Sequence, residues 1–394
     1  MKKKLLFSIV AVLVAVGMMI SFSACDLLVT TDDDGNTTVT FNFTLDNVSG
    51  TVIDARSSTS TTVDGISSVS VTLEPIDTSD DSTEVYTATT DSNGEYQFDD
   101  VETGTYKLTA EKSGFFFIPM EVSVGGWLET LPEIPGVELR SNDEYGISFV
   151  LMWNSEDDMD LHITYTINDL SSDTDDSSVF DSPNSTWATN WHNGFGPAGA
   201  NAANAVDTDN RDDVYYDNKN SDEKTWFDNT LSAVVLDRDD TDGYGPETGT
   251  IRTIPAATAD NTKPINPDPT TNGLPTGYAY RWVGVAEVYI HGYNANIATA
   301  ESTGARPYIA AFQTLKDNSG NLYAENLGLF PIPDYITLKT VSAIRINMFL
   351  ADDTSTSGTN EDIDFFQLIP DITTANVIKG FNDQGPIVVK GRER

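Results

Sequence analysis

Two acidic stretches of the sequence carry the side chains best suited to bind a cation. One contains Asp158 and Asp160, and the other contains Asp237, Asp239 and Asp242. So many like charges repel each other unless water solvates them or they share a cation. A hard cation such as Ca²⁺ takes six to eight oxygen ligands, which clustered carboxylates and loop carbonyls supply. The pattern therefore predicts one calcium site built from these five aspartates, where the two stretches meet at one end of a β-sandwich.

Two other interpretations of the same stretches stay open. Acidic loop residues often form Asx turns and remain solvated without any ion. A transition metal bound through His162 is the second alternative, because imidazole is a common ligand of zinc and copper. The second stretch is not an EF-hand loop, since Thr248 stands where that loop requires a bidentate glutamate.

Residues typical of catalytic sites are scarce. The chain has three histidines and a single cysteine, Cys25, and it has neither a Gly-x-Ser-x-Gly elbow nor a phosphate-binding glycine loop. We therefore predict that the protein is not an enzyme. The alternative is an accessory or hydrolytic role in processing envelope polysaccharide or peptide, with His162 as base or ligand beside Asp160 and Asp239.

Tryptophans in a long polar stretch, residues 171–229, suggest a second kind of site. Trp187, Trp191 and Trp226 lie there among many Asn and Asp residues. Aromatic faces with hydrogen-bonding neighbours suit glycans, although tryptophans also anchor long loops onto a core. The pattern predicts a glycan-binding site at these three residues, with the anchoring role as the alternative.

The N-terminus is typical of a targeting segment. Three lysines at 2–4 precede an apolar run over residues 5–20, and Phe22-Ser23-Ala24-Cys25 follows. This resembles a bacterial lipoprotein signal, which implies cleavage after residue 24 and lipidation of Cys25 as a membrane anchor. Residues 25–38 are polar and acidic, and we expect a flexible tether there. No later apolar run is long enough to cross a bilayer.

Composition limits the partners. The 394 residues carry a formal charge of −39, which becomes −42 when the three N-terminal lysines are removed. Such a charge argues against binding to nucleic acid or to an anionic membrane surface, and it suits a solvated surface or one that binds cations. With 39% hydrophobic residues, the chain has enough apolar surface for folded cores.

Alternating apolar and polar residues predict an all-β protein with two antiparallel β-sandwich domains in tandem. In the first, residues 39–140, short strands are separated by turns such as Asp91-Ser92-Asn93-Gly94. This region resembles the carboxypeptidase regulatory-like domain, a transthyretin-type sandwich, over roughly residues 46–118. That resemblance implies a scaffold or accessory role without catalytic residues. The matching residues are Val48-Ser49-Gly50-Thr51-Val52-Ile53-Asp54, then 69–73, 90–98, 104–108 and Ser113-Gly114-Phe115.

The second domain is expected over residues 141–371, with long acidic loops, and a C-terminal tail over 372–394. Strands are predicted at residues 147–153, 280–290 and 307–312, with a hairpin formed by 343–350 and 362–369. The domain resembles the YfaP-type family of uncharacterised bacterial β-sandwich proteins, which implies fold and setting but no activity. The resemblance is carried by residues 149–153, 158–163, 236–239, 243–247 and 280–289.

Together these patterns predict a lipid-anchored protein of the cell envelope, facing the periplasm or the cell surface. We expect it to act as a structural or binding module, with calcium as its stabilising ion. Its partners are expected to be the membrane, through Cys25, and an envelope protein or a glycan.

Overall fold

The protein is described from a computed structural model of the full chain. The structure describes residues 24–31, 37–45, 47–57, 64–76, 84–125, 130–153, 158–167, 211–214, 219–221, 224–238, 245–254, 273–292, 307–331, 340–353, 362–370 and 387–393. These residues form β-strands and one 3-10 turn, Ser141–Asp143, and they contain no α-helix. The prediction of an all-β fold is therefore confirmed. Over the same residues, no helix has the length and apolar character needed to span a bilayer.

The chain divides into two compact units. The first comprises Met1–Asp54 and Thr62–Glu138, and the second comprises Ala55–Thr61 and Leu139–Arg394. The strands of the first unit are β1 (Ala24–Thr31), β2 (Thr37–Leu45), β3 (Val48–Asp54), β4 (Ser70–Pro75), β5 (Tyr86–Thr89), β6 (Glu95–Phe98), β7 (Val101–Glu102), β8 (Gly104–Glu111), β9 (Phe115–Phe117), β10 (Met120–Val124) and β11 (Ile134–Glu138). The strands of the second are β12 (Ile147–Met152), β13 (Met159–Ile167), β14 (Arg211–Val214), β15 (Val234–Arg238), β16 (Glu247–Ile251), β17 (Tyr278–Gly292), β18 (Tyr308–Lys316), β19 (Leu322–Pro331), β20 (Thr340–Asp353), β21 (Asp362–Pro370) and β22 (Ile387–Glu393).

The first unit contains two four-stranded sheets, in the orders β10-β8-β4-β5 and β6-β3-β11-β9, and a three-stranded sheet, β1-β2-β7. One hydrophobic core takes side chains from both four-stranded sheets, including Val52 of β3 and Leu73 of β4. These residues alternate with polar ones along each strand, so one face of each sheet is buried against the other. The pairings between the described strands of this unit are antiparallel except that of β3 with β11, which is parallel. The unit is therefore a sandwich with one mixed sheet, where the sequence had suggested a purely antiparallel one.

The first part of the expected tether, residues 25–31, belongs to a β-strand in the structure. Ala24–Thr31 forms β1, which pairs with β2 in antiparallel register from Ala24 opposite Thr44 to Thr31 opposite Thr37. The physical reason is the unpaired backbone of β2, which offers hydrogen bonds that an extended neighbour can take. Apolar residues at 27–29 and threonines at 30 and 31 favour a strand here, a signal that the acidic residues 32–34 obscured.

The second unit is also a sandwich, made of a five-stranded sheet, β15-β16-β12-β18-β19, and a six-stranded sheet, β14-β13-β17-β20-β21-β22. A single core joins the two sheets, with Phe149 of β12 and Ile309 of β18 from one, and Leu161 of β13 and Ile344 of β20 from the other. The strand expected at residues 280–290 extends over Tyr278–Gly292. The predicted hairpin of residues 343–350 and 362–369 is confirmed, because β20 and β21 pair antiparallel.

The last residues are not only a tail. Ile387–Glu393, inside the expected tail of 372–394, forms β22 and pairs antiparallel with β21. Val389 is buried in the core of the second unit. Apolar residues at 387–389 gain more by covering that core than they would in solvent, which explains the difference. The charged residues of Lys390-Gly391-Arg392 made a strand at this position hard to predict from the sequence.

Candidate functional site

The second unit contains a cluster of charged side chains, most of them buried, that the sequence did not predict. Asp143, in the 3-10 turn, accepts hydrogen bonds from Arg56 Nη1 at 2.8 Å and from Arg252 Nε at 2.8 Å. Asp237, in β15, accepts a hydrogen bond from Arg140 Nη1 at 3.1 Å, and its other oxygen lies 3.7 Å from Arg56 Nε. We call these five residues the arginine–aspartate cluster. Arg56 belongs to the segment Ala55–Thr61 of the second unit.

The two aspartates of this cluster have opposite electrostatic environments. Burial by itself would raise the pKa of the Asp143 carboxyl, but Arg56 and Arg252 hold it below its ordinary value. Burial raises the pKa of the Asp237 carboxyl, and the neighbouring Asp143 charge adds to that rise although Arg56 and Arg140 oppose it. Asp143 is thus the better stabilised anion, because two guanidinium groups share its carboxylate.

Asp237 was expected to be a calcium ligand, and the structure places it among arginines. Its carboxylate oxygens also receive a hydrogen bond from Thr250 Oγ1 at 3.4 Å. The positive charges of the nearby guanidinium groups repel a cation, which disfavours metal coordination by this carboxylate. Asp239 and Asp242 lie outside the described residues. The described residues contain no group of three or more His, Cys, Asp or Glu side chains with metal-binding geometry, and the calcium site stays a prediction.

Asp160 and His162 lie on β13 and belong to a buried polar row. Asp160 is opposite His291 in the ladder between β13 and β17, and His162 is opposite Tyr289. The rings of His162 and His291 are 5.9 Å apart in an edge-to-face arrangement. Asp158 is half-buried just before β13. Asp160 and His162 are two residues apart on this strand, so they share one of its faces.

The same row contains two residues of β17 that sequence reasoning missed. Tyr289 Oη donates a hydrogen bond to Glu287 Oε2, and both side chains are buried. The sequence did contain a signal, because Glu287 is the charged residue within the largely apolar run of residues 282–290. Buried acids, imidazoles and hydroxyls are tolerated as hydrogen-bonded networks. The row is therefore well suited to fixing the geometry of the sheet.

The two acidic stretches do meet, through a residue not included in the predicted calcium site. Glu247, the first residue of β16, is fully buried, and its Oε2 accepts a hydrogen bond from the backbone N–H of Leu161 at 2.6 Å. Leu161 stands between Asp160 and His162 in β13. The bond therefore joins the five-stranded sheet to the six-stranded sheet. The contact is a carboxylate with a backbone amide, not carboxylates around a shared ion.

Replacing Glu247 with alanine is expected to lower the free energy of unfolding by about 3 kcal/mol, since it leaves the Leu161 N–H buried without this acceptor and creates a small cavity. Glu247→Gln keeps an acceptor oxygen and should lose less than half as much. Urea denaturation of both variants measures the difference. Equal losses in the two variants would show that the hydrogen bond contributes little.

The predicted glycan-binding residues fall mostly outside the described part of the chain. Trp187 and Trp191 both lie outside the described residues, so their site stays a prediction. Trp226 is half-buried, and its ring packs edge-to-face on Phe227 with centroids 5.6 Å apart. The guanidinium of Arg392 lies 3.9 Å from the centre of the Phe227 ring. These contacts fit the anchoring alternative for Trp226, because its neighbour is held against β22.

Comparison with known protein families identifies part of the chain. Residues 47–116 match the carboxypeptidase regulatory-like domain. Apart from residues 55–61, the match lies within the first unit and includes β3 to β8, where the sequence had predicted that resemblance. It covers no part of residues 139–394, and the YfaP-type resemblance stays a prediction.

Two solved structures align with most of the chain at low similarity. The full-length major pilin SpaD from Corynebacterium diphtheriae is 9% identical, with 86% of this chain and 90% of the pilin covered and a TM-score of 0.20. The major pilin SpaA from the same organism is 11% identical, with 86% and 94% covered and a TM-score of 0.19. TM-scores this low do not indicate a shared arrangement of the whole chains. No curated protein is significantly similar in sequence.

Proposed function

We propose that this protein is an extracytoplasmic lipoprotein, anchored through Cys25, whose β-sandwich units serve as structural and partner-binding modules without catalysing a reaction. The observation that supports it most is the carboxypeptidase regulatory-like match of residues 47–116. Such a domain is a sandwich that supports or presents other modules, and the two four-stranded sheets of the first unit form a sandwich.

The chemistry of the second unit agrees with this role. Asp143 is fully buried between two arginines, and Glu247 is fully buried against a backbone amide. These charged side chains stabilise the packing of the sheets and turns. The strongly acidic composition suits a solvated surface outside the cytoplasm, and it opposes binding of nucleic acid.

Lipid anchoring is tested by replacing Cys25 with alanine in cells labelled with radioactive palmitate. The unaltered protein is expected to carry the label and to sediment with membranes, because acyl chains on the cysteine supply the anchor. Cys25→Ala should lose the label completely and should no longer be held by the membrane through acyl chains.

Ser23→Ala is the matched control, since it keeps a small residue before the cleavage site and should still be labelled. Absence of label from the unaltered protein, or label retained by Cys25→Ala, would contradict the anchor. Calcium binding, glycan binding at Trp187 and Trp191, and the hydrolytic alternative are separate predictions that this measurement does not address.

A further inference from the structure

The hairpin of β1 and β2 in the first unit alternates between apolar and polar rows, where a row is a pair of residues that stand opposite each other. The apolar rows pair Cys25 with Phe43, Leu27 with Phe41, and Val29 with Val39. The rows between them pair Asp26 with Asn42, Leu28 with Thr40, and Thr30 with Thr38. Alternate rows of an antiparallel pair lie on the same face, so the first three rows form one apolar face of the hairpin.

The proposed lipidation site belongs to this apolar face. Successive rows are about 3.4 Å apart, so the row of Leu27 and Phe41 lies about 7 Å along the strands from Cys25. Acyl chains attached to Cys25 therefore begin on the face that carries the apolar rows. A bilayer that takes up those chains meets this face of the hairpin before it meets the polar one.

The base of the hairpin is fixed to the sandwich through β7. Leu45, the last residue of β2, is buried in the core of the first unit and pairs with β7. The backbone N–H of Glu102 donates to Tyr86 Oη at 3.2 Å, and Tyr106 Oη donates to the Glu102 carbonyl at 2.7 Å. Among the described strands, β1 makes extended backbone contact with β2 alone, and β2 with β1 and β7 alone. The apolar face thus extends beyond the strand that holds its base.

The charge of this segment limits what can cover the apolar face. Residues 25–55 contain six aspartates and no lysine or arginine. Attraction to anionic headgroups is therefore absent, and affinity for a bilayer must come from acyl chains and apolar side chains. The net charge of −39 opposes close pairing of two copies of the chain, which favours a lipid surface over a second copy.

We propose that the β1–β2 hairpin is a membrane-contacting element, whose apolar face lies in the interfacial layer of the bilayer beside the acyl chains of Cys25. The first unit is then held against the bilayer and is not suspended on a flexible tether. The chain from Cys25 to Phe43 folds back on itself and ends where it began, so it adds little distance between bilayer and sandwich. This inference rests on the lipid anchor proposed above, and it names a lipid surface as the partner of the first unit.

The test couples the purified chain from Cys25 onward to maleimide lipids in phosphatidylcholine vesicles, through the only thiol of the chain. Phe41→Trp places a reporter on the apolar face, and Thr40→Trp is the matched control on the polar face. Emission is measured as the difference from the coupled unaltered chain, which has six tryptophans of its own. With brominated acyl chains in the vesicles, the Phe41→Trp signal should fall about twofold or more, because bromine quenches an indole only at close range and the apolar face is immersed. The Thr40→Trp signal should not change.

Val39→Trp is a second reporter on the apolar face, so a folding defect at residue 41 does not decide the result. The inference is overturned if neither apolar-face reporter is quenched, since that face then covers protein. Equal quenching of Thr40→Trp would also overturn it. So would a blue shift of Phe41→Trp that grows with protein density on the vesicles without quenching, because a second copy then covers the face.

The coupling supplies an anchor at Cys25 whether or not cells lipidate that residue. Quenching here without palmitate label in cells would contradict the lipid anchor and not the affinity of the hairpin for a bilayer. Label in cells without quenching here would contradict the membrane-contacting hairpin alone.

Discussion

Replacing Asp143 with asparagine is expected to lower the free energy of unfolding by about 3–5 kcal/mol at neutral pH. Asp143 has no exposed surface, and its two carboxylate oxygens accept hydrogen bonds from Arg56 and Arg252 at 2.8 Å each. Removing the negative charge leaves two guanidinium groups in the interior without their anion. Urea denaturation followed by tryptophan fluorescence measures the loss, since Trp153 is buried in the core of the second unit.

The loss should depend on pH in a defined direction. The folded pKa of Asp143 lies below its unfolded value of about 3.9, so its contribution is fully present above that value. As the pH falls through the folded pKa, the carboxylate becomes protonated and the contribution disappears. The difference in stability between the unaltered protein and Asp143→Asn should therefore shrink below about pH 4.

Asp237→Asn is the matched control within the same cluster. The folded pKa of Asp237 is raised, so its ionisation costs stability as the pH rises from about 4 through the folded pKa. Asp237→Asn should lose clearly less stability than Asp143→Asn at neutral pH. Equal losses for the two variants, or a loss in Asp143→Asn that does not change with acid, would contradict the assignment of Asp143 as the stabilising anion.

Replacing Gly94 with alanine is expected to destabilise the first unit by about 3 kcal/mol or more, because two costs add. Gly94 has a φ of +81°, which L-residues adopt at a cost of about 1–2 kcal/mol. A Cβ at Gly94 would also lie 2.4 Å from the Val52 carbonyl oxygen and 2.7 Å from Gly65 Cα. Both of those atoms belong to the backbone, which cannot move aside as a flexible side chain can.

Gly114→Ala separates these two costs. Gly114 has a similar φ of +83°, but a Cβ there would meet nothing within 4 Å. It should therefore cost only the backbone term, about 1–2 kcal/mol. Urea denaturation, followed by the far-ultraviolet circular dichroism of the first unit's strands, compares the variants. If Gly94→Ala were no worse than Gly114→Ala, the close approach of the two backbones at Gly65 would carry no energetic weight.

Gly94 and Gly65 show which features of the fold the sequence predicts and which it does not. The turn Asp91-Ser92-Asn93-Gly94 is a local pattern, so its glycine and the strand that follows were predicted correctly. Gly65 has no such local pattern. It approaches Asn93 and Gly94 because Ile66 N–H donates to the Val52 carbonyl at 2.9 Å, which aligns that segment beside β3. Sequence alone does not indicate contacts between segments so far apart in the chain.

In the candidate sites, too, local features were predictable from the sequence and contacts between distant segments were not. That Asp160 and His162 share one face of β13 follows from their spacing of two residues, since side chains alternate along a strand. It wrongly extended the tail through residues 387–393, because their packing depends on a core assembled from distant strands. It also gave no sign that Asp237 would lie among arginines, rather than beside Asp160.

By itself, the sequence determined the all-β class, the strand faces, the tight turn at Gly94 and the strongly acidic character, since each follows from residue type and short-range period. Only the tertiary structure decided which charges become buried partners. Asp143 lies 87 residues from Arg56 and 109 residues from Arg252 in the chain. A buried ion pair forms only when the sheets and their connections pack together, so the residues next to each partner in the sequence do not predict it.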